Sequence, residues 1–301
     1  MHNQNPLSKK LLSLDPNSMN CIMKKNLILL LCPVFFIACN PNKKESKKNP
    51  VRETWIQLFN GKDLQGWTPK ITGYPVGENF GNTFRVEDGI LKVSYDAYQD
   101  GFQSRFGHLY TKESFSHYKL RTEYRFCGEQ VSEDPGWAYM NNGIMFHSQS
   151  VESMIIDQFF PVSVEAQLLG NGNPDSYRTT GNVCTPGTTV WIENELYPNH
   201  CASSDSKSYP GNEWVTFEME VYGDSLVRHI VNGDTVLVYT NLTVDKAGMD
   251  NTSQKDIFDA IPVPVGPLKV GHIAIQAESH PTEFRKIELL DLSADFKFSR
   301  L

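Results

Sequence analysis

Several absences bound this chain before any present feature does. It has no apolar run long enough to cross a bilayer, for which about 20 residues are needed; the run at residues 27–36 stops well short. Long segments of helical period are missing, which argues against helical bundles and against α/β folds with their regular crossover helices. Positive charge is in deficit, with 28 Lys and Arg against 35 Asp and Glu for a net −7. The visible basic cluster lies in residues 40–51, outside any foldable segment, so nucleic acid is a poor fit as partner. Cysteine is scarce, six in 301 residues, and its spacing and lack of further metal-type pairs argue against a zinc site.

What is present begins with an address. Met23-Lys-Lys-Asn, an apolar stretch and Ile37-Ala38-Cys39 form the three-part layout of an export signal. The small residue directly before Cys39 resembles the lipobox of bacterial lipoproteins, in which that cysteine is acylated and becomes the mature N-terminus. An ordinary cleaved signal with an incidental cysteine is the alternative. Residues 1–22 carry no targeting logic, and Met23 is read as the true start. Residues 39–53 are read as a lipidated tether, rich in Asn, Pro, Lys and Ser and unable to bury a core. The expected location is the cell envelope, periplasmic or on the outer membrane surface, with the lipid as the only membrane contact.

Residues 54–301 are read as one all-β domain. Period-2 alternation bounded by Gly, Asn, Asp and Pro recurs throughout. Phe84 to Val93 reads as a hairpin about Asp88-Gly89, and Leu226 to Tyr239 as another about Asn232-Gly233. Further strands are expected at residues 117–126, 143–148, 162–169, 214–222, 270–278 and 283–292. Many short strands with tight turns mean a sandwich or a barrel. Two connections, 170–212 and 241–269, exceed hairpin length; the first carries Tyr177, Trp191, Tyr197 and Tyr209 and is expected to cover one face or rim. Within it Cys184 and Cys201 are either a disulfide or two free thiols.

The opening Trp55-Ile-Gln-Leu-Phe-Asn-Gly-Lys-Asp-Leu-Gln-Gly-Trp67 is followed by Phe84-Arg-Val-Glu-Asp-Gly-Ile-Leu91, Asn141-Asn-Gly-Ile-Met-Phe146 and Val164-Glu-Ala-Gln-Leu-Leu169. Gly181-Asn182 precedes Cys184, and Gly271-His-Ile-Ala-Ile-Gln-Ala-Glu-Ser-His-Pro-Thr-Glu-Phe-Arg-Lys-Ile287 closes the series. In this order the pieces resemble the 3-keto-disaccharide hydrolase domain family, proteins long labelled glycosyl hydrolases. The resemblance spans residues 55–292 and implies a concanavalin-like jelly-roll sandwich of two antiparallel sheets. Many relatives carry Arg where this chain has His147 after Phe146.

Alternation assigns faces, since successive strand residues point to opposite sides. Val164, Ala166 and Leu168 suit the core and leave Glu165 and Gln167 on the other face. Ile273, Ile275 and Ala277 likewise leave Gln276 and Glu278 outside, with His280 just beyond. Ile144 and Phe146 go inward, which sends Met145 and His147 out. Three strands thus share a face carrying His, Glu and Gln, read as a carbohydrate groove with Trp137 and Tyr139 as stacking platforms at its rim. His229, set among Leu226, Val227, Ile230 and Val231, is read as a packed structural histidine, and His108 and His272 as ordinary.

Two chemistries follow. A conventional glycosidase needs two carboxyls flanking the bond, which Glu165 and Glu278 supply only if their strands are neighbours. The resemblance implies instead a sugar already oxidised at C3, whose ketone acidifies the C2 proton so that a base can trigger elimination of the glycosidic oxygen, with water adding back. His147 is the expected base by its intrinsic pKa. A divalent ion held by Glu165 and His147, or a cation such as Arg228 or Lys207, would hold the enolate. The alternative functions are a non-catalytic carbohydrate-binding lipoprotein and, less in keeping with a polar groove, a structural envelope protein.

Overall fold

A computed structural model of the chain describes residues 53–132, 136–172, 176–245 and 260–294. The export segment, Cys39 and the tether through residue 52 lie outside the described residues, as does much of the second long connection. In chain order the strands are β1 (Ile56–Gln57), β2 (Trp67–Ile71), β3 (Phe84–Glu87), β4 (Ile90–Val93), β5 (Gly107–Phe115), β6 (His117–Phe126), β7 (Asn141–Ser148), β8 (Val164–Leu169) and β9 (Asn182–Cys184). There follow β10 (Thr188–Ile192), β11 (Glu195–Leu196), β12 (Cys201–Ala202), β13 (Val215–Tyr222), β14 (Leu226–Val231), β15 (Asp234–Val244), β16 (Gly266–Pro267), β17 (Gly271–Ala277) and β18 (Thr282–Asp291).

Both expected hairpins form, with Asp88 and Gly89 at φ 52° and 78° and Asn232 and Gly233 at 49° and 92°. Positive φ at both central residues is the turn that matches strand twist, which Asp-Gly and Asn-Gly adopt cheaply. The strands assemble into two antiparallel sheets. The larger has the order β11-β10-β15-β14-β13-β6-β18-β4-β3, with β1 added to β18 and β16 to β15; the smaller has the order β12-β9-β8-β7-β17-β5-β2. The chain crosses repeatedly between them (β5 to β6, β6 to β7, β9 to β10, β17 to β18), and the result is the expected jelly-roll sandwich.

β6 shows how the sequence specifies the layers. Tyr118, Leu120, Thr122, Tyr124 and Phe126 are buried between the sheets, while Lys119, Arg121, Glu123 and Arg125 alternate outward. On the outer face those charges meet the ladder from β13, β14 and β18: Lys119 with Glu220 at 3.0 Å, Arg121 with Glu288 at 3.1 Å and Arg125 with Glu283 at 2.6 Å. Trp214 lies under both Arg125 and Arg285, and Trp55 under Arg121. A half-solvated antiparallel sheet shows this pattern, and the outer face of the larger sheet is accordingly self-paired.

The smaller sheet differs. Every residue of β7 is buried, so both of its faces are covered. On the face away from the core, Val151 and Met154 from the segment after β7 pack on Tyr110, Met145 and Ala274 as a second apolar cluster. This segment covers that face, while the connection 170–212, expected to cover one face or rim, lies at the sheet edges. That connection instead lengthens both sheets, β9 and β12 at one edge and β10 and β11 at the other. Cys184 and Cys201 are Cα partners across β9 and β12 and form a disulfide, while Cys127 has no disulfide partner among the described residues.

Candidate active site on the covered face of the smaller sheet

Register aligns the polar side chains of this face into rows. Asn182 pairs with Gln167, Gln167 with Gly143, and Gln276 with His108, which pairs with Lys70. Because Ile275 is opposite Ile144, Gln276 stands beside Gly143, and the row Asn182, Gln167, Gly143, Gln276, His108, Lys70 crosses the sheet. In the next row Glu165 faces Cys184 on one side and Met145 on the other, followed by Ala274 and Tyr110.

Gly143 is the reason the two rows meet. A Cβ there would lie 2.3 Å from Glu165 Oε1 and 2.8 Å from its Cδ and Cγ, so the carboxyl occupies the space that any other residue would fill. The Glu165 carboxyl therefore sits over Gly143, the residue that Gln276 stands beside. Burial of Glu165 pushes its pKa up to about 8, because the charged form loses water. Gln276 is fully buried, and neither its amide nitrogen nor its amide oxygen has a hydrogen-bond partner among the described residues. An unpaired buried amide costs about 1–3 kcal/mol. Such an amide takes its partners from outside the described residues, from water or from a bound polar group.

The row continues with His108, read from the sequence as ordinary, and with Lys70, which the sequence did not single out. His108 is buried against the Phe160 and Tyr110 rings, its Nε2 has no hydrogen-bond partner among the described residues, and burial, with Lys70 nearby, pulls its pKa down to about 3. Lys70 is buried and donates from Nζ to the carbonyls of Ile71 at 2.8 Å and Ile156 at 2.9 Å; burial lowers it to about 8. The signal for His108 was there, in the alternation of His108 and Tyr110 about core Leu109. The signal for Lys70 was hidden by the Pro69 before it.

At the end of β17, Glu278 continues the alternation of Gln276 and is buried, and His280 follows. The His280 ring stands edge-on to Tyr139 at 5.1 Å and to Phe126 at 5.7 Å, and burial, then Arg178, lowers its pKa to about 4. Trp137 is 54% exposed and stacks on Phe106 at 6.1 Å and 9° between planes. Arg178, missed from sequence, holds this rim in place: its guanidinium donates to the carbonyls of Tyr139, Met140, Gly170 and Asn171. Gln167 is half-buried at the far end of the row, where its Oε1 accepts from Asn182 Nδ2 at 3.3 Å.

Three expectations are corrected. His147 does not join Glu165. β17 pairs His272 with Ser148 but Ala274 with Met145, so two residues of β7 oppose one of β17. In this bulge His147 takes φ 46°, which breaks the alternation and sends its ring toward the larger sheet. There Nε2 lies 3.1 Å from the Gly223 carbonyl and the ring is edge-on to Tyr118 at 6.4 Å. Gly271 makes the bulge possible, since a Cβ would lie 2.3 Å from the His147 carbonyl carbon. Burial lowers the His147 pKa to about 4. This placement parts His147 from Glu165, so the two neither share an ion nor act together on one face of the sheet. Second, Arg228 lies on β14 of the larger sheet, where Glu220 takes its charge at 2.9 Å. Third, β7 separates β8 from β17, so Glu165 and Glu278 are not on neighbouring strands as a conventional pair on this face would require.

Lys207 is exposed in the segment between β12 and β13, with its carbonyl accepting from Ser206. His229 is packed as expected: Nδ1 meets the Gly181 carbonyl at 2.8 Å and Nε2 meets Tyr239 Oη at 2.8 Å. His272 Nδ1 lies 3.0 Å from the Thr111 carbonyl.

A family model described as the 3-keto-alpha-glucoside-1,2-lyase-like domain matches residues 54–290. No curated protein matches the chain. Among solved structures, a Parabacteroides distasonis protein assigned as a glycosyl hydrolase is similar at 17% identity, over 80% of this chain and 95% of that one, with a TM-score of 0.46. A second from the same organism has 18% identity, coverage of 79% and 100%, and a TM-score of 0.44. LamAcat from Zobellia galactanivorans has 10% identity, coverage of 74% and 91%, and a TM-score of 0.41.

Proposed function

The chain belongs to the family of 3-keto-alpha-glucoside-1,2-lyase-like domains, and from that membership we propose that it cleaves the glycosidic bond of 3-keto-glycosides by elimination, with Glu165 as the base. The observation that carries this reading is a desolvated carboxyl, held in the space left by Gly143, in a sheet whose register sets Gln276 beside Gly143, with a side-chain amide that has no hydrogen-bond partner among the described residues.

The C3 ketone draws electrons from C2, and the Glu165 carboxylate takes the C2 proton. A base works best when its pKa is near the working pH, and a carboxyl raised to about 8 is a far stronger base than one in water. The electron pair moves onto the C3 oxygen as an enolate, where the Gln276 amide N–H, unpaired among the described residues, donates to the growing charge. As the ketone re-forms, the C1–O bond breaks and the leaving oxygen departs as the alcohol with a proton. The other product is a C1–C2 unsaturated 3-keto sugar, and addition of water to it would make the net reaction a hydrolysis. Trp137 and Tyr139 would receive the sugar or its aglycone at the rim.

Incubation of the protein with 3-keto and unmodified glucosides side by side tests the reading. We expect turnover of the keto sugar alone, and its loss in Glu165→Gln with sugar affinity kept. Cleavage of the unmodified sugar alone would overturn it, and binding without turnover by the unaltered protein would make it a carbohydrate-binding module. We further propose that Cys39 is acylated and tethers the domain in the envelope; labelled fatty acid should be incorporated by the chain and not by Cys39→Ser.

A further inference from the structure

The hairpin-like pairing of β9 and β12 places a third donor beside the disulfide. Cys201 is opposite Cys184, and His200, the residue before Cys201, brings a ring nitrogen to within 4.8 Å of both sulfurs. Among the described residues this is the one group of three or more His, Cys, Asp or Glu side chains whose donor atoms converge in this way. The His200 ring also hydrogen-bonds to the Thr185 backbone. A backbone carbonyl on one imidazole nitrogen is the usual device for aiming the other at a metal.

We propose that, with the Cys184–Cys201 disulfide reduced, Cys184, Cys201 and His200 form a binding site for a zinc-class divalent cation at the edge of the smaller sheet. Two thiolates and one imidazole are a soft donor set that selects zinc and its analogues over calcium or magnesium. Around such an ion, sulfur sits at about 2.3 Å and nitrogen at about 2.0–2.1 Å. The three donors, already within 4.8 Å of one another, need only the opening of the S–S bond to surround it. Three protein ligands leave the fourth tetrahedral corner to water. The chemistry balances with a phosphine reductant and one water: two electrons cleave the S–S bond, the phosphine is oxidised by taking up the water oxygen, and two thiols result. Metal binding then displaces the two thiol protons. Two cysteines 17 residues apart signal no such site in the sequence; the third ligand is supplied by strand register.

The test uses the full chain, reduced with phosphine under argon, freed of reductant and titrated with cobalt(II) as the spectroscopic probe. One equivalent should give the thiolate-to-cobalt charge-transfer band with tetrahedral d–d bands, and zinc should displace it. The oxidised chain should give neither. Cys184→Ser with Cys201→Ser keeps the other four cysteines and should abolish the signal, and His200→Ala should weaken zinc binding tenfold or more. His200 is exposed, so that variant keeps the fold and decides the matter even if the double variant does not fold. A reduced chain that binds no more cobalt than the oxidised one, or a His200→Ala variant that titrates like the unaltered chain, overturns the proposal.

Discussion

Replacing Gly143 by Ala adds one methyl group where the structure has a carboxyl. The new Cβ would stand 2.3 Å from Glu165 Oε1 and 2.8 Å from Cγ and Cδ, against the roughly 3.5–4.0 Å at which heavy atoms rest. Gly143 does not have a left-handed φ, so its backbone tolerates Ala and the strain falls on Glu165, which must swing by about 1 Å. A shift of that size at a reacting group costs about 10²-fold in rate, and overpacking costs about 1–3 kcal/mol of stability. The assays are kcat/KM on a 3-keto-glucoside and urea unfolding, each repeated in a Glu165→Ala background. Glu165→Ala removes the opposing carboxyl, so adding Gly143→Ala to it should cost little further stability and restore no activity. The cycle isolates the contact between the two positions. Full activity in Gly143→Ala, or an equal stability loss with and without the Glu165 carboxyl, would refute the placement of the base.

Three further outcomes are expected. The Glu165 carboxyl has a folded pKa near 8 against an unfolded value of 4.5, so the fold favours its neutral form: the contribution is fully present below about pH 4.5 and lost as pH rises through 8. Thermal melts at pH 5 and 9 should therefore show Glu165→Gln gaining on the unaltered protein at the higher pH, while kcat/KM of the unaltered protein rises through about pH 8. Burial lowers His147, His229 and His280 to about 4 and His108 to about 3; these depressed groups contribute stability above pH 6.5 that is lost as pH falls toward 4, and urea midpoints across that range should drop, less steeply in His229→Gln. Trp137→Ala removes a half-exposed ring, so KM should rise by about twofold to tenfold, in line with the roughly 0.5–1.5 kcal/mol of an aromatic contact, with the melting temperature within about 2 °C because little buried area is lost.

The fold was legible because its code is local. Alternation in β6, β13 and β14 assigns each residue to core or solvent, and Asp88-Gly89 and Asn232-Gly233 can hardly be anything but turns. The same alternation placed Glu165, Gln167, Gln276 and Glu278 on one face. It failed at His147 because one extra residue in β7 flips a side chain across the sheet, and only the partner strand reveals the bulge. It gave no hint of Lys70 or Arg178, whose roles come from carbonyls 86 and up to 39 residues away.

The sequence by itself determined the strands, the turns and the family, since these depend on side-chain period, backbone preference and motif order. Only the tertiary structure decided which strands are neighbours. That choice set β7 between Glu165 and Glu278, put Gly143 beneath the Glu165 carboxyl, and brought His200 to the sulfurs of Cys184 and Cys201. A strand's own residues fix the face of a side chain, whereas its opposite number is fixed by packing over the whole sandwich.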